Sequence, residues 1–288
     1  MKSTNPQTNS GRPLGRPSLA KNLLLLALPG VIFTCAFFLL PLARVGQVIA
    51  QSPDGWASYL LVLTNPRYLT SLLQTLGLSV AVTIVALVLC GVVGLFLVRH
   101  PFPGHRVLVA ILTLPLSFPG TVVGFMVIML AGRQGVIGAL SSSLTGDRWV
   151  FAYSMAGLFA GYLYFSIPRV ILAVMAGAEK LDPALEEAAR SLGAPGWRVV
   201  KDVIIPGLMP ALVSSAAICF ATAMGAFGTA FALATEIDVL PMTIYTEFTL
   251  NANIATAAAL SIVLGLITWA CLALARRLAG GVAPMASG

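Results

Sequence analysis

The sequence predicts an all-α integral membrane protein with six transmembrane helices, and two observations carry that expectation. Of 288 residues, 58% are hydrophobic and only 9% charged, against roughly 25% charged in soluble domains. A soluble chain of this length cannot hide so much apolar side chain in one core. The apolar residues also form continuous runs of about 20, the length a helix needs to cross the hydrocarbon layer, and not the alternating runs of about 10 of a β-barrel. A cytosolic globular enzyme, a secreted disulfide scaffold and a disordered protein are excluded on these grounds.

Residues 1–21 are polar, rich in Ser, Asn, Pro and Gly, and carry Lys2, Arg12, Arg16 and Lys21; they predict a disordered cytoplasmic tail. The apolar run that follows resembles the core of a signal peptide. It is long enough to span, however, and no small-x-small cleavage site closes it, so an uncleaved first span is expected at about 22–43. Further spans are expected at about 69–98, 107–131, from Val150 to between Ile167 and Ala176, 207–234 and 254–275. Residues 22–276 thus make one transmembrane domain, followed by a cytoplasmic tail at 277–288.

The net charge of +7 sits between apolar runs, which points to lipid headgroups and topology and away from nucleic acid. With the N-terminus in the cytoplasm, inside segments hold 13 basic residues: the four of the tail, Arg99, Arg106, Arg169, Lys180, Arg190, Arg198, Lys201, Arg276 and Arg277. Outside segments hold 4, Arg44, Arg67, Arg133 and Arg148. That bias predicts both termini in the cytoplasm. The four cysteines (Cys35, Cys90, Cys219, Cys271) fall in apolar runs and read as small apolar residues. With only His100 and His105 beside them, no metal-ligand cluster can be written.

The expected span cores contain no ionisable side chain, so no proton relay is visible. No lysine follows a glycine, so there is no P-loop, and neither G-x-S-x-G nor H-E-x-x-H occurs. An intramembrane enzyme has no constellation to work with, and energy for uphill transport has to come from another subunit. A secondary transporter or channel remains the alternative.

The most informative segment is the cytoplasmic loop at 180–206. Asp182 suits a helix N-cap, Pro183 the first helical position, and Gly193 the left-handed residue that closes the helix. Leu185, Ala188, Ala189 and Leu192 recur at helical spacing as one apolar stripe, with Glu186, Glu187 and Arg190 on the other side. After Pro195 a second short helix is expected from Trp197 to Ile204, with Pro206 opening the fifth span. A helix lying on lipid headgroups is one reading. The small Ala188-Ala189 pair suits docking into a protein groove better.

Glu187-Ala188-Ala189, then Gly193 at its fixed spacing, then Val203-x-Ile205-Pro206, resembles the EAA signature of binding-protein-dependent ABC importer permeases. Val and Ile stand for the Ile and Leu of the family pattern. The resemblance runs over roughly 65–275 and includes Asn65-Pro66-Arg67-Tyr68, Leu114-Pro115, Phe118-Pro119-Gly120, Gly225-Ala-Phe-Gly-Thr229 and Leu240-Pro-Met-Thr-Ile-Tyr245. The last two resemble the branch that handles polyamines, 2-aminoethylphosphonate, thiamine, sulfate, molybdate and ferric iron. Ala226 stands where that branch often has Glu.

The resemblance implies a type I importer permease fold in a bacterial inner membrane. It implies a second permease subunit, two cytosolic ATPases that bind ATP and Mg²⁺, and a periplasmic substrate-binding protein. This chain would bind no cofactor and catalyse nothing. Glu186, Glu187, Ala188, Ala189, Arg190, Gly193, Ile205 and Pro206 would couple to the ATPase. Pro115 and Pro119 break span three, and Gly225 and Gly228 thin span five. With Phe118, Met224, Phe227 and Thr229 they are candidates for the translocation path; helix packing through small residues is the other reading. Glu236, Asp238 and Glu247 are expected near the outer mouth. They either are simply solvated or tilt the solute towards a small charged amine, polyamine or aminophosphonate, over sulfate or molybdate.

Overall fold

In a computed structural model, residues 27–52, 55, 57–233 and 237–280 are described. The tail at 1–21, the start of the expected first span, Glu236 and residues 281–288 lie outside them. Among the described residues every regular element is a helix: α1 (Ala27–Ala50), α2 (Ala57–Thr64), α3 (Pro66–Arg99), α4 (His105–Ser117), α5 (Gly120–Ala131), α6 (Val136–Thr145), α7 (Met155–Ala178), α8 (Pro183–Ser191), α9 (Gly196–Met224), α10 (Phe227–Leu233), α11 (Leu240–Tyr245) and α12 (Ile254–Gly280). Six stretches are long and apolar enough to cross a membrane: α1, α3, α5 with α6 (Gly120–Thr145), α7, α9 and α12 up to Arg277.

Several boundaries differ from expectation, each for a local reason. The first helix runs past residue 43 to Ala50, through Pro41, and the fifth begins at Gly196 and passes through Pro206. Neither proline stops its helix; a π turn lies just before each, at Cys35–Leu39 and Val200–Ile204, while Pro168 and Pro210 sit inside their helices without one directly before them. At Pro41 and Pro206 the wider turn leaves room for the ring where the α-helical carbonyl four residues back would clash. The expected third span, 107–131, is instead two helices. Pro119 drives Phe118 into extended backbone (φ −97, ψ 132), so α4 ends and α5 starts afresh. The expected 207–234 span is interrupted at Gly225, and α10 restarts at Phe227. The last helix extends through Arg276 and Arg277 to Gly280, into the expected tail.

The main core forms where α3, α7 and α9 meet: Val82, Ala86, Cys90 and Leu97 against Leu158, Ile171 and Val174, with Leu208, Cys219 and Ala223 closing the third side. Cys90 and Cys219 are free and buried. A second core joins Ile49 of α1, Val62 of α2, Tyr68 and Leu72 of α3, Leu240 of α11 and Leu260 of α12. Hydroxyls tie α11 to α3: Ser71 and Thr243 share a hydrogen bond of 2.9 Å, and the Leu240 N–H donates to Thr75 Oγ1 at 2.8 Å. In an apolar medium such groups gain by satisfying one another.

α10 lies against α5 at the distance only a missing side chain allows. A Cβ on Gly124 would sit 2.5 Å from Ala232 Cβ and 3.1 Å from the Thr229 carbonyl oxygen. Gly124→Leu is therefore expected to force α10 off α5. The cost should be about 1–3 kcal/mol, the range for overpacking, read as a lower unfolding temperature of the detergent-solubilised protein.

Candidate functional site

Two places in this fold carry chemistry: the loop around α8 and a cavity between α4, α5, α7, α9 and α10. In the loop, Asp182 caps α8 by accepting from the Ala184 N–H at 2.9 Å. The far end closes with paired bonds: the Gly193 N–H to the Arg190 carbonyl at 2.9 Å and the Ala194 N–H to the Ala189 carbonyl at 3.1 Å. Gly193 has φ +81, the left-handed conformation this closure requires. Pro195 then starts α9.

The orientation of α8 reverses the usual arrangement of an amphipathic helix. Glu186 is buried, and its Oε1 accepts from Nη2 of Arg99. Ala189 packs inward beside it. Leu185 is 57% and Leu192 89% exposed, and Trp197 at the start of α9 is 62% exposed. Ala188, Glu187 and Arg190 are exposed as well. The expected apolar stripe thus splits: Ala189 turns in, while Leu185, Ala188 and Leu192 turn out. Glu186 does not join Glu187 and Arg190 on the solvent side. The ion pair is well placed for both helices. Arg99 lies in the last turn of α3, where the helix dipole favours a cation, and Glu186 in the first turn of α8, where it favours an anion. Ile205 is partly exposed and Pro206 exposed, within the continuous α9.

The cavity has a volume of about 280 Å³. Its wall includes Pro115, Phe118, Gly225, Gly228 and Thr229 from the expected path, joined by Leu116, Gly120, Phe165, Arg169, Thr222 and Ala226. Pro119 caps α5 at the cavity's edge. Met224 does not reach it and is fully buried in the core. Phe227 faces a separate groove, its ring 5.3 Å from those of Phe231 and Tyr245. Two bonds hold the wall in place: the Tyr162 hydroxyl donates to the Ala226 carbonyl at 2.6 Å, and Thr229 Oγ1 to the Gly120 carbonyl at 2.9 Å.

Arg169 corrects an expectation. Counted from sequence as a cytoplasmic loop residue, it lies inside α7, nine residues before the helix ends at Ala178. Removing it from the inside set leaves 12 basic residues against 4, so the charge bias stands, but the span cores do hold an ionisable group. A signal was present: Val170 to Ala176 continues the apolar run beyond the arginine. The outer carboxylates also move. Asp238 faces Arg67 at 4.0 Å with both side chains exposed, and Glu247 is buried close to Tyr68.

Residues 91–286 match the family of binding-protein-dependent transport system inner membrane components. The chain belongs to this family. It is an ABC importer permease, a multi-pass transport subunit without catalytic chemistry of its own, and membership sets aside the secondary-transporter alternative. The permease is 35% identical over 211 residues to the sulfate transport system permease protein CysT of Escherichia coli K12, covering 72% of this chain and 73% of that one. It is 32% identical to the molybdenum transport system permease protein ModB of the same organism, over 65% and 82% of the two chains. It is 28% identical to the putative 2-aminoethylphosphonate transport system permease protein PhnU of Salmonella typhimurium, over 87% and 90%. Its fold superimposes on a chain of a bacterial ABC transporter that imports alginate with a TM-score of 0.75 at 17% identity, covering 93% of this permease and 98% of that chain.

Glu186→Ala is expected to leave Arg99 without its partner, at a cost of about 3 kcal/mol, the low end for breaking a buried pair. Faster hydrogen exchange of amides 184–194, with the α3 amides unchanged before residue 95, checks this.

Proposed function

We propose that the permease moves a small charged solute into the cell, driven by ATP and Mg²⁺ bound in two cytosolic ATPase partners that seat on α8. A second permease subunit faces it across the path, and a periplasmic binding protein delivers the solute. Both termini lie in the cytoplasm, in keeping with the basic residues of the α3–α4, α7–α9 and C-terminal segments.

The observation that carries this reading is the inverted amphipathicity of α8. Leu185, Leu192 and Trp197 are turned outward beside Glu187 and Arg190, while an ion pair holds the helix to its own body. A helix so arranged offers an apolar, charge-rimmed face to another protein and has a rigid hold on the spans. Closure of the ATPase dimer would move α8. The Arg99–Glu186 pair would pass that motion to α3, and the unbroken α9 to the cavity wall at Gly225.

For the solute, the sequence alone favoured a polyamine or an aminophosphonate because of an acidic mouth. With Asp238 opposite Arg67 and Glu247 buried, that attraction for a cation loses its support. The relatives named for sulfate, molybdenum and 2-aminoethylphosphonate transport favour a solute carrying an anionic group, the aminophosphonate type among them.

Leu185→Asp with Leu192→Asp changes only outward side chains and is expected to leave membrane insertion intact while abolishing co-purification of the ATPase. Gly193→Val strains a left-handed position by on the order of 1–3 kcal/mol and should lower ATP-driven uptake in proteoliposomes. Normal ATPase association in the double variant would overturn the assignment of α8. Reporter fusions after Gly104 and Gly193 should read cytoplasmic, and after Gly146 and Asp238 periplasmic.

A further inference from the structure

We infer that Arg169 is the point in the translocation path where the solute's oxyanion is held, a site that rests on the permease reading above and gives its solute class a physical anchor. Among the described residues, Arg169 is the one charged side chain on the wall of the cavity between α4, α5, α7, α9 and α10, and no carboxylate lines that wall to neutralise it. A solute entering the cavity therefore meets a single positive charge.

The placement is not that of an arginine escaping to the membrane surface. Arg169 lies about 14 Å of helix from the cytoplasmic end of α7, at 1.5 Å per residue. To reach headgroups its side chain has to point towards Ala178. It points the other way. Nη1 donates to the carbonyl of Phe165, one turn back, at 2.7 Å, and Cζ stands 5.5 Å from the centre of the Phe165 ring. The guanidinium is thus held on its inner side by a carbonyl and an aromatic face. Among the described residues, Nε and Nη2 meet no hydrogen-bond acceptor, and the side chain lines the cavity. A charge within a span is costly and marks a functional site by default.

The rest of the wall suits an anion. The twelve-residue α5 starts at Gly120 on the same cavity and turns its positive end towards it. Phe118 and Phe165 keep much of the remainder apolar, and the hydroxyls of Thr222 and Thr229 are spent on backbone carbonyls. The free edge of a guanidinium matches two oxygens of a sulfate, molybdate or phosphonate group, a fit that a lysine ammonium does not reproduce. A polyamine would be repelled at this point.

The test is arginine modification of the full-length permease in lipid nanodiscs. Phenylglyoxal is applied with and without sulfate, molybdate, inorganic phosphate, 2-aminoethylphosphonate, putrescine or chloride, and each arginine is read by peptide mass spectrometry. Arg169 is expected to be labelled, and at least one of the four oxyanions should slow its labelling tenfold or more while putrescine and chloride do not. In proteoliposomes with the partner subunits, R169Q is expected to lower uptake of the protecting solute by tenfold or more, and R169K to recover part of it. Both variants should keep ATPase association. No labelling of Arg169, no protection by any oxyanion, equal protection by putrescine, or full uptake by R169Q would each overturn the site. If the ATPase associates normally in those cases, only the site falls. If the wild-type chain binds no ATPase, the importer reading beneath it falls instead, whatever Arg169 does.

Discussion

The ion pair between Arg99 and Glu186 decides how the α8 side of this permease is built. It joins the end of the longest helix to the beginning of one of the shortest, 87 residues apart in the chain. Burying a carboxylate is unfavourable unless a cation meets it, and this requirement sets the rotation of α8 about its own axis. With Glu186 turned in, helical spacing leaves Leu185, Ala188 and Leu192 no choice but to turn out. The face offered to a partner is therefore a consequence of where one charge has to go. The same pair places α8 under α3, whose other flank builds the core with α7 and α9.

The membrane part follows a second constraint, the satisfaction of backbone groups without water. Where prolines follow π turns, at Pro41 and Pro206, helices continue. Where Pro119 acts on Phe118, the helix ends. The cavity lies at the two places where helices do end, Phe118–Pro119 and Gly225, and side chains rather than backbone complete its wall: Tyr162 takes the Ala226 carbonyl and Thr229 that of Gly120. Close approach of α10 to α5 at Gly124 makes that second bond reachable.

Much of this was legible in the residues. Six long apolar stretches, the Asp182 cap, the Gly193 closure and the break near Pro119 all follow from local rules that act over a few positions. What local rules missed depended on distant partners or on the way charges end a hydropathy window. The inward turn of Glu186 depends on Arg99, which no helical wheel of α8 contains. Arg169 counts as a loop charge on sequence grounds because charges usually flank spans, although the apolar run resumes directly after it. The Gly225 break was absorbed into one long span, since glycine is common inside membrane helices. Glu247 read as a loop carboxylate because its burial needs Tyr68, on another helix. Of the eight expected path residues, Met224 and Phe227 stand in the right segment but face elsewhere, a distinction of side-chain direction that spacing alone does not carry.

The continuity of α9 through Pro206 has a mechanical meaning. At 29 residues the helix is a rod of about 43 Å, with one end beside α8 and the other at Gly225 on the cavity. A stiff rod multiplies a small angle: a tilt of about 5° displaces its far end by about 4 Å over that length, more than the width of a hydrogen bond. Had Pro206 broken the helix, the same push would have been absorbed as bending about a third of the way along. The π turn at Val200–Ile204 lies just before Pro206 within one continuous helix, and Gly225 ends that helix at the cavity.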